Sequence, residues 1–109
     1  MKIWVDDIRP KPKDYDHWCK TVSYAIGYIS GVWNEGKHVD LTISLDHDLG
    51  GGLKGLSTGE DILKWIERQV LQFGWAMPII LVHSANPVAR RRMNLIIQRM
   101  KERVENEQT

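Results

Sequence analysis

The sequence predicts an α/β domain built on a mostly parallel sheet, and three observations carry that prediction. Short apolar runs suited to strands recur at residues 2–6, 18–22, 41–46 and 78–82. Stretches with apolar residues at helical spacing lie between or after them. The 109 residues are enough for one hydrophobic core but too few for two. Right-handed crossovers between parallel strands leave few topologies, and strand order 2-1-3-4 is the expected one. A single domain over residues 1–105 with a frayed tail at 106–109 follows.

The first run, residues 2–6, ends in Asp6 and Asp7 and passes into Pro10 and Pro12. About ten residues separate it from the second run, and two are prolines, so the helix of that crossover should be stunted. After residues 18–22, positions 24–33 carry helical spacing that stops near Gly36, weakened by Gly27 and Gly31. The third run alternates Leu41, Ile43 and Leu45 with Thr42 and Ser44, and its β-branched residues suit a pleated surface. A glycine-rich segment through Gly55 follows. Thr58 with Asp61 three residues on forms a looser capping box, and Ile62, Ile66 and Val70 give the next helix an inward face until Gly74. Residues 78–82 read as a near-continuous apolar strand covered on both faces. Asn86 then suits an N-cap and Pro87 the first helical position, with Met93, Ile96 or Ile97, Met100 and Val104 facing inward.

Composition narrows the function. Fifteen Lys and Arg against fourteen Asp and Glu give a net charge of +1, so no global field draws the chain to nucleic acid or a membrane, and no DNA-binding signature is present. Its single cysteine, Cys19, excludes an internal disulfide and any multi-cysteine metal site. No run approaches a membrane span or a signal peptide, and a cytoplasmic location is expected. Nothing in the sequence speaks to oligomeric state.

Chemistry concentrates at the strand ends. Ligands of parallel sheets bind beyond the carboxyl ends of the strands where the order reverses. That places Asp6, Asp7, Asp46, Asp48, His83 and Ser84 in one crevice. Carboxylates near a core are costly unless a cation or hydrogen bonds offset them, so these acids predict a hard-cation site for Mg²⁺ or Mn²⁺. His83, at a strand end, is a candidate general acid or base, whereas for His47 a hydrogen-bonded structural role is equally compatible. Arg90, Arg91 and Arg92 lie where the helix dipole disfavours cations, a cost that a bound anion would reverse. With Asn86 capping, the helix start is a candidate phosphate cradle, and Arg9 is a further candidate.

The acids after the first strand, the Asp ending the third and the Ser ending the fourth are similar to receiver domains of two-component signalling. The fuller string Val5-Asp6-Asp7-Ile8-Arg9-Pro10, Ser44-Leu45-Asp46-His47-Asp48-Leu49-Gly50, Thr58-Gly59 and His83-Ser84-Ala85-Asn86-Pro87 resembles the cyclic-phosphate-processing receiver domain family over nearly the whole chain. The resemblance implies a receiver-like (flavodoxin-like) three-layer sandwich whose fifth strand, and the lysine it supplies, are missing. It also implies action on cyclic phosphates of RNA ends or nucleotides, with Asp6, Asp7 and Asp46 holding the metal. Asp48, two beyond Asp46, makes an Asp-x-Asp similar to haloacid dehalogenase-type phosphatases, in which the first Asp attacks phosphorus and the second shuttles a proton. The expected activity is a Mg²⁺-dependent phosphoesterase with Asp46, Asp48 and His83 catalytic and Arg9, Ser84, Asn86, Arg90 and Arg91 binding phosphate. A non-catalytic module that binds a phosphorylated nucleotide and a phospho-accepting signalling receiver are the alternatives.

Overall fold

A computed structural model describes residues 1–53 and 56–108. Its elements run β1 (Lys2–Val5), β2 (His17–Cys19), α1 (Val22–Asn34), β3 (Thr42–Leu45), β4 (Asp48–Leu53), β5 (Leu56–Thr58), α2 (Gly59–Phe73), β6 (Ile79–Val82) and α3 (Pro87–Gln108). The main sheet is fully parallel with order β2-β1-β3-β6, the expected 2-1-3-4 once its four strands are counted alone.

Register divides the sheet into two unlike faces. Ile3, Ile43 and Ile80 align across one row and Val5, Cys19, Leu45 and Val82 across the next. These residues share one core with Val22, Ala25 and Ile29 of α1, Ile62 and Ile66 of α2, and Met93 and Met100 of α3. All three helices therefore pack on the same side. Handedness explains it: the steps β2 to β3 and β3 to β6 move the same way across the sheet, so right-handed crossovers put α1 and α2 together. The step from β1 to β2 moves the other way, and its connection belongs on the opposite face.

There the expected three-layer sandwich is reduced. Residues 7–16 form no helix, as the prolines predict, and lay Tyr15 edge-on against Trp4, ring centroids 5.2 Å apart. The far side of that face stays open, with Ile79 and Leu81 of the edge strand 58% and 47% exposed.

Three boundaries differ from the sequence reading. The strand assigned to residues 18–22 spans His17–Cys19, because Thr21 caps α1 by accepting from the Tyr24 N–H and Val22 starts the helix. The glycine-rich segment contains an antiparallel hairpin, β4 with β5, in which Asp48 pairs with Thr58; Lys54 and Gly55 lie outside the described residues. Helix α3 continues to Gln108, so residues 106–108 of the expected tail prolong it, and Thr109 lies outside the described residues. The Thr58–Asp61 capping box forms in full, and Gly74 ends α2 at φ +72°, a left-handed conformation that favours glycine.

Candidate active site

At the end of β1 the chain must turn sharply, and the Asp6 side chain makes the turn. Its Oδ1 accepts from the backbone N–H groups of Ile8 and Arg9, both at 2.8 Å. Two indoles clamp the same loop, Trp18 Nε1 donating to the Asp6 carbonyl at 2.6 Å and Trp4 Nε1 to the Arg9 carbonyl at 2.9 Å. Asp6 is 1% exposed, and its second oxygen lies 3.1 Å from His83 Nε2.

His83 follows β6 and is fixed from three sides. It stacks on Trp4 with centroids 3.7 Å apart and planes 6° from parallel, and Nδ1 lies 2.7 Å from Ser44 Oγ. Burial lowers its pKa below the ordinary 6.5, a pull that the Asp6 hydrogen bond and charge oppose. In its neutral form the ring donates to Asp6 Oδ2 through Nε2–H and accepts from the Ser44 hydroxyl at Nδ1. The chain Asp6–His83–Ser44 has the connectivity of a hydrolase triad, but Ser44 is 3% exposed and meets no substrate. It orients the imidazole.

Asp46 stands one strand over. Its Oδ1 accepts from the His47 N–H at 2.8 Å. Burial raises its pKa above the ordinary 3.8, and the neighbouring Asp6 charge adds to this, against the pull of the His47 N–H, His83 and Arg9. One ligand atom from each of Asp6, Asp46 and His83 falls within 4.8 Å of the others. Gly59 makes this possible: it opens α2 directly against the Asp46 backbone, where a Cβ would stand 1.8 Å from the Asp46 carbonyl oxygen, and its N–H donates to the His47 carbonyl at 2.8 Å.

A crevice of about 470 Å³ opens over these groups, lined by Asp6, Asp7, Ile8, Arg9, Asp46, Asp48, Leu49, Thr58, Ser84, Ala85 and Asn86. Asp7 lines it outside the close trio. The Asp48 side chain is 78% exposed at the rim, 2.8 Å from His47 Nδ1. Arg9 reaches in from the side, with Nη1 3.4 Å from the His83 carbonyl.

The start of α3 differs from the expected cradle. Pro87 has no N–H, Asn86 Oδ1 accepts from Val88 and Ala89 at 3.1 Å, and the Arg90 N–H donates to the Asn86 carbonyl. The helix has thus already spent its donors on its own cap. Ser84, 3% exposed, accepts from the Asn86 N–H through Oγ. Arg90 folds back onto the Ser84 carbonyl at 3.1 Å, Arg92 pairs with Glu60 at 2.8 Å, and Arg91 is exposed outside the crevice. Among the described residues, the cation that lines the crevice is Arg9.

Sequence reasoning carried Ser44 and Gly59 only as members of the family string, without a role, and gave Trp4 and Trp18 none in the site. Ser44 carried a signal, a hydroxyl amid the apolar residues of a buried strand. The indoles carried none, since their hydrogen bonds join residues 5 and 12 apart through the fold.

The comparisons agree with the strand-end motifs. The model of the cyclic-phosphate processing receiver domain matches residues 1–99, and the chain belongs to that family. No curated protein and no solved structure matches it significantly. Among the described residues no helix is long and apolar enough to cross a membrane.

Proposed function

We propose that this member of the cyclic-phosphate processing receiver family is a metal-dependent phosphoesterase that opens cyclic phosphates of nucleotides or RNA ends. The observation that carries the proposal is the meeting of Asp6, Asp46 and His83 within 4.8 Å, with both carboxylates lining a crevice that Arg9 also lines.

The donor set fits a divalent cation. Carboxylate oxygens from Asp6 and Asp46 are the hard donors that suit Mg²⁺ or Mn²⁺. Burial first, and then the Asp6 charge, raise the Asp46 pKa, and a bound cation would offset both. Asp46, Asp6 and Asp7 would hold the ion, which when bound offsets charge on the phosphoryl group.

Ring opening adds water across one P–O bond: the phosphorus gains an oxygen, one ribose oxygen leaves, and that oxygen takes up a proton. Arg9 would orient the phosphoryl oxygens as a planar donor. Asp46 would direct the attacking water, or attack phosphorus itself to give an acylphosphate that water then hydrolyses, restoring the carboxylate. Asp48, exposed at the rim, can exchange the proton with the leaving hydroxyl. His83 keeps Asp6 in place instead, since both its nitrogens are engaged. The same engagement favours a second reading, a module that binds a cyclic phosphate without turnover.

Incubation of the purified protein with a 2′,3′-cyclic nucleotide and millimolar Mg²⁺ or Mn²⁺ separates the two. Release of a phosphomonoester that stops on chelation supports the esterase; metal-dependent binding without product supports the module.

A further inference from the structure

We infer that the cleft lined by Trp18, Lys20, Thr21 and Tyr24 seats the nucleobase of the nucleotide whose phosphate occupies the crevice, an inference that rests on the crevice being a cyclic-phosphate site.

The cleft lies at the same end of the sheet. Cys19 is level with Val5, and the Asp6 N–H donates to the Cys19 carbonyl at 3.0 Å, so the chain leaving β2 stands one strand spacing, about 4.8 Å, from Asp6. Trp18 binds the Asp6 carbonyl directly. From Asp46 the chain leaving β2 is two strand spacings away, roughly 10 Å, which a ribose and the base it carries cover together.

Its chemistry suits a flat heteroaromatic ring. At about 230 Å³ the cavity is large enough for a base and too small for a folded peptide segment. The Tyr24 ring is 51% exposed yet held in place, with its hydroxyl 2.9 Å from His17 Nε2 and its plane within 14° of the His17 ring and 12° of Tyr28. Such a ring offers a π surface at little ordering cost. Lys20 Nζ sits 4.2 Å from the Trp18 ring centroid, so a cation is parked at the cleft with N–H donors to give. Among the described residues the lining holds no carboxylate, and the acceptor edge of a base, a ring nitrogen or carbonyl, is the group that Lys20 would meet. Neither Lys20 nor Tyr24 is needed by the crevice.

Calorimetric titration with metal present tests the inference using two ligands, a 2′,3′-cyclic nucleotide and ribose 2′,3′-cyclic phosphate without a base. The wild type should bind the nucleotide at least about tenfold more tightly, the range of one base stacked on an aromatic ring. Tyr24→Leu should bring the two affinities to within about twofold by weakening the nucleotide alone, Tyr24→Phe should keep the preference, and Lys20→Gln should reduce it. Equal wild-type affinities would overturn the base subsite and leave the phosphate crevice standing. Failure of both ligands to bind would overturn the crevice reading and the subsite with it.

Discussion

The two carboxylates that face each other across β1 and β3 have the same chemistry and opposite surroundings. Asp6 accepts two backbone N–H groups on one oxygen and His83 on the other, inside a loop pinned by two indoles. Asp46 accepts one backbone N–H, lies at the crevice floor next to the glycine-rich hairpin, and has its pKa raised by burial. A carboxylate that is fully hydrogen-bonded belongs to the scaffold, whereas one left short of partners is available to a cation or a substrate. The difference makes Asp6 the holder of the loop, with an oxygen that can still share an ion, and gives the reacting role to Asp46.

The largest effect expected is on turnover. Asp46→Asn should lower phosphoesterase activity by about 10³-fold or more, as loss of a group acting on the reacting atom does. Its melting temperature should stay level or rise, because the substitution removes a charge that burial and Asp6 both disfavour. Activity within threefold of wild type would return Asp46 to the scaffold.

Gly59→Ala sharpens the comparison from the packing side. A methyl 1.8 Å from the Asp46 carbonyl must displace backbone, and overpacking of that kind should cost about 3 kcal/mol in urea denaturation. A loss below roughly 0.5 kcal/mol, the level of a neutral surface change, would show that the α2–β3 seat is looser than it looks.

Asp6→Ala orphans two N–H groups and an imidazole, and should cost about 2 kcal/mol or more, unlike Asp46→Asn. Comparable stabilities for the two variants would erase the distinction. Metal supplies the converse test: at 100 times its dissociation constant, Mg²⁺ or Mn²⁺ should stabilise the wild type by about 2.7 kcal/mol, and Asp46→Asn should lose most of that.

Acid should act through His83. Its pKa is lowered in the fold, so above pH 6.5 both folded and unfolded chains hold it neutral and it contributes nothing to pH dependence. As pH falls through 6.5 the unfolded chain takes up the proton first, and stability declines until the folded-state value is passed. Asp46 works with the opposite sign at lower pH, the native state taking the proton first as pH descends toward 3.8. His83→Asn should flatten the decline that starts near pH 6.5, and an unchanged profile would remove His83 as its source.

The smallest effects belong to the α3 arginines. Arg91→Gln should leave stability and cyclic-phosphate affinity unchanged, while Arg92→Gln should cost no more than about 1 kcal/mol through its partly exposed pair with Glu60. A tenfold affinity loss in Arg91→Gln would restore the helix start as an anion site.

Much of this molecule was legible in one dimension. Alternation in Leu41 to Leu45 and the apolar run of β6 fix strands, Thr58 with Asp61 and Asn86 with Pro87 fix helix starts, and the acids beyond the strands fix which end of the sheet carries chemistry. These signals are local, written within a few residues by pleat, cap and turn geometry. What tertiary structure decided is how the strand-end residues divide their work. His83 reaches Asp6 across 77 positions and Ser44 across 39, Trp18 reaches the Asp6 carbonyl across 12, and Arg92 is taken up by Glu60 across 32. Burial and hydrogen-bond saturation arise only when those segments meet, and they alone separate a carboxylate that holds a loop from one free to react.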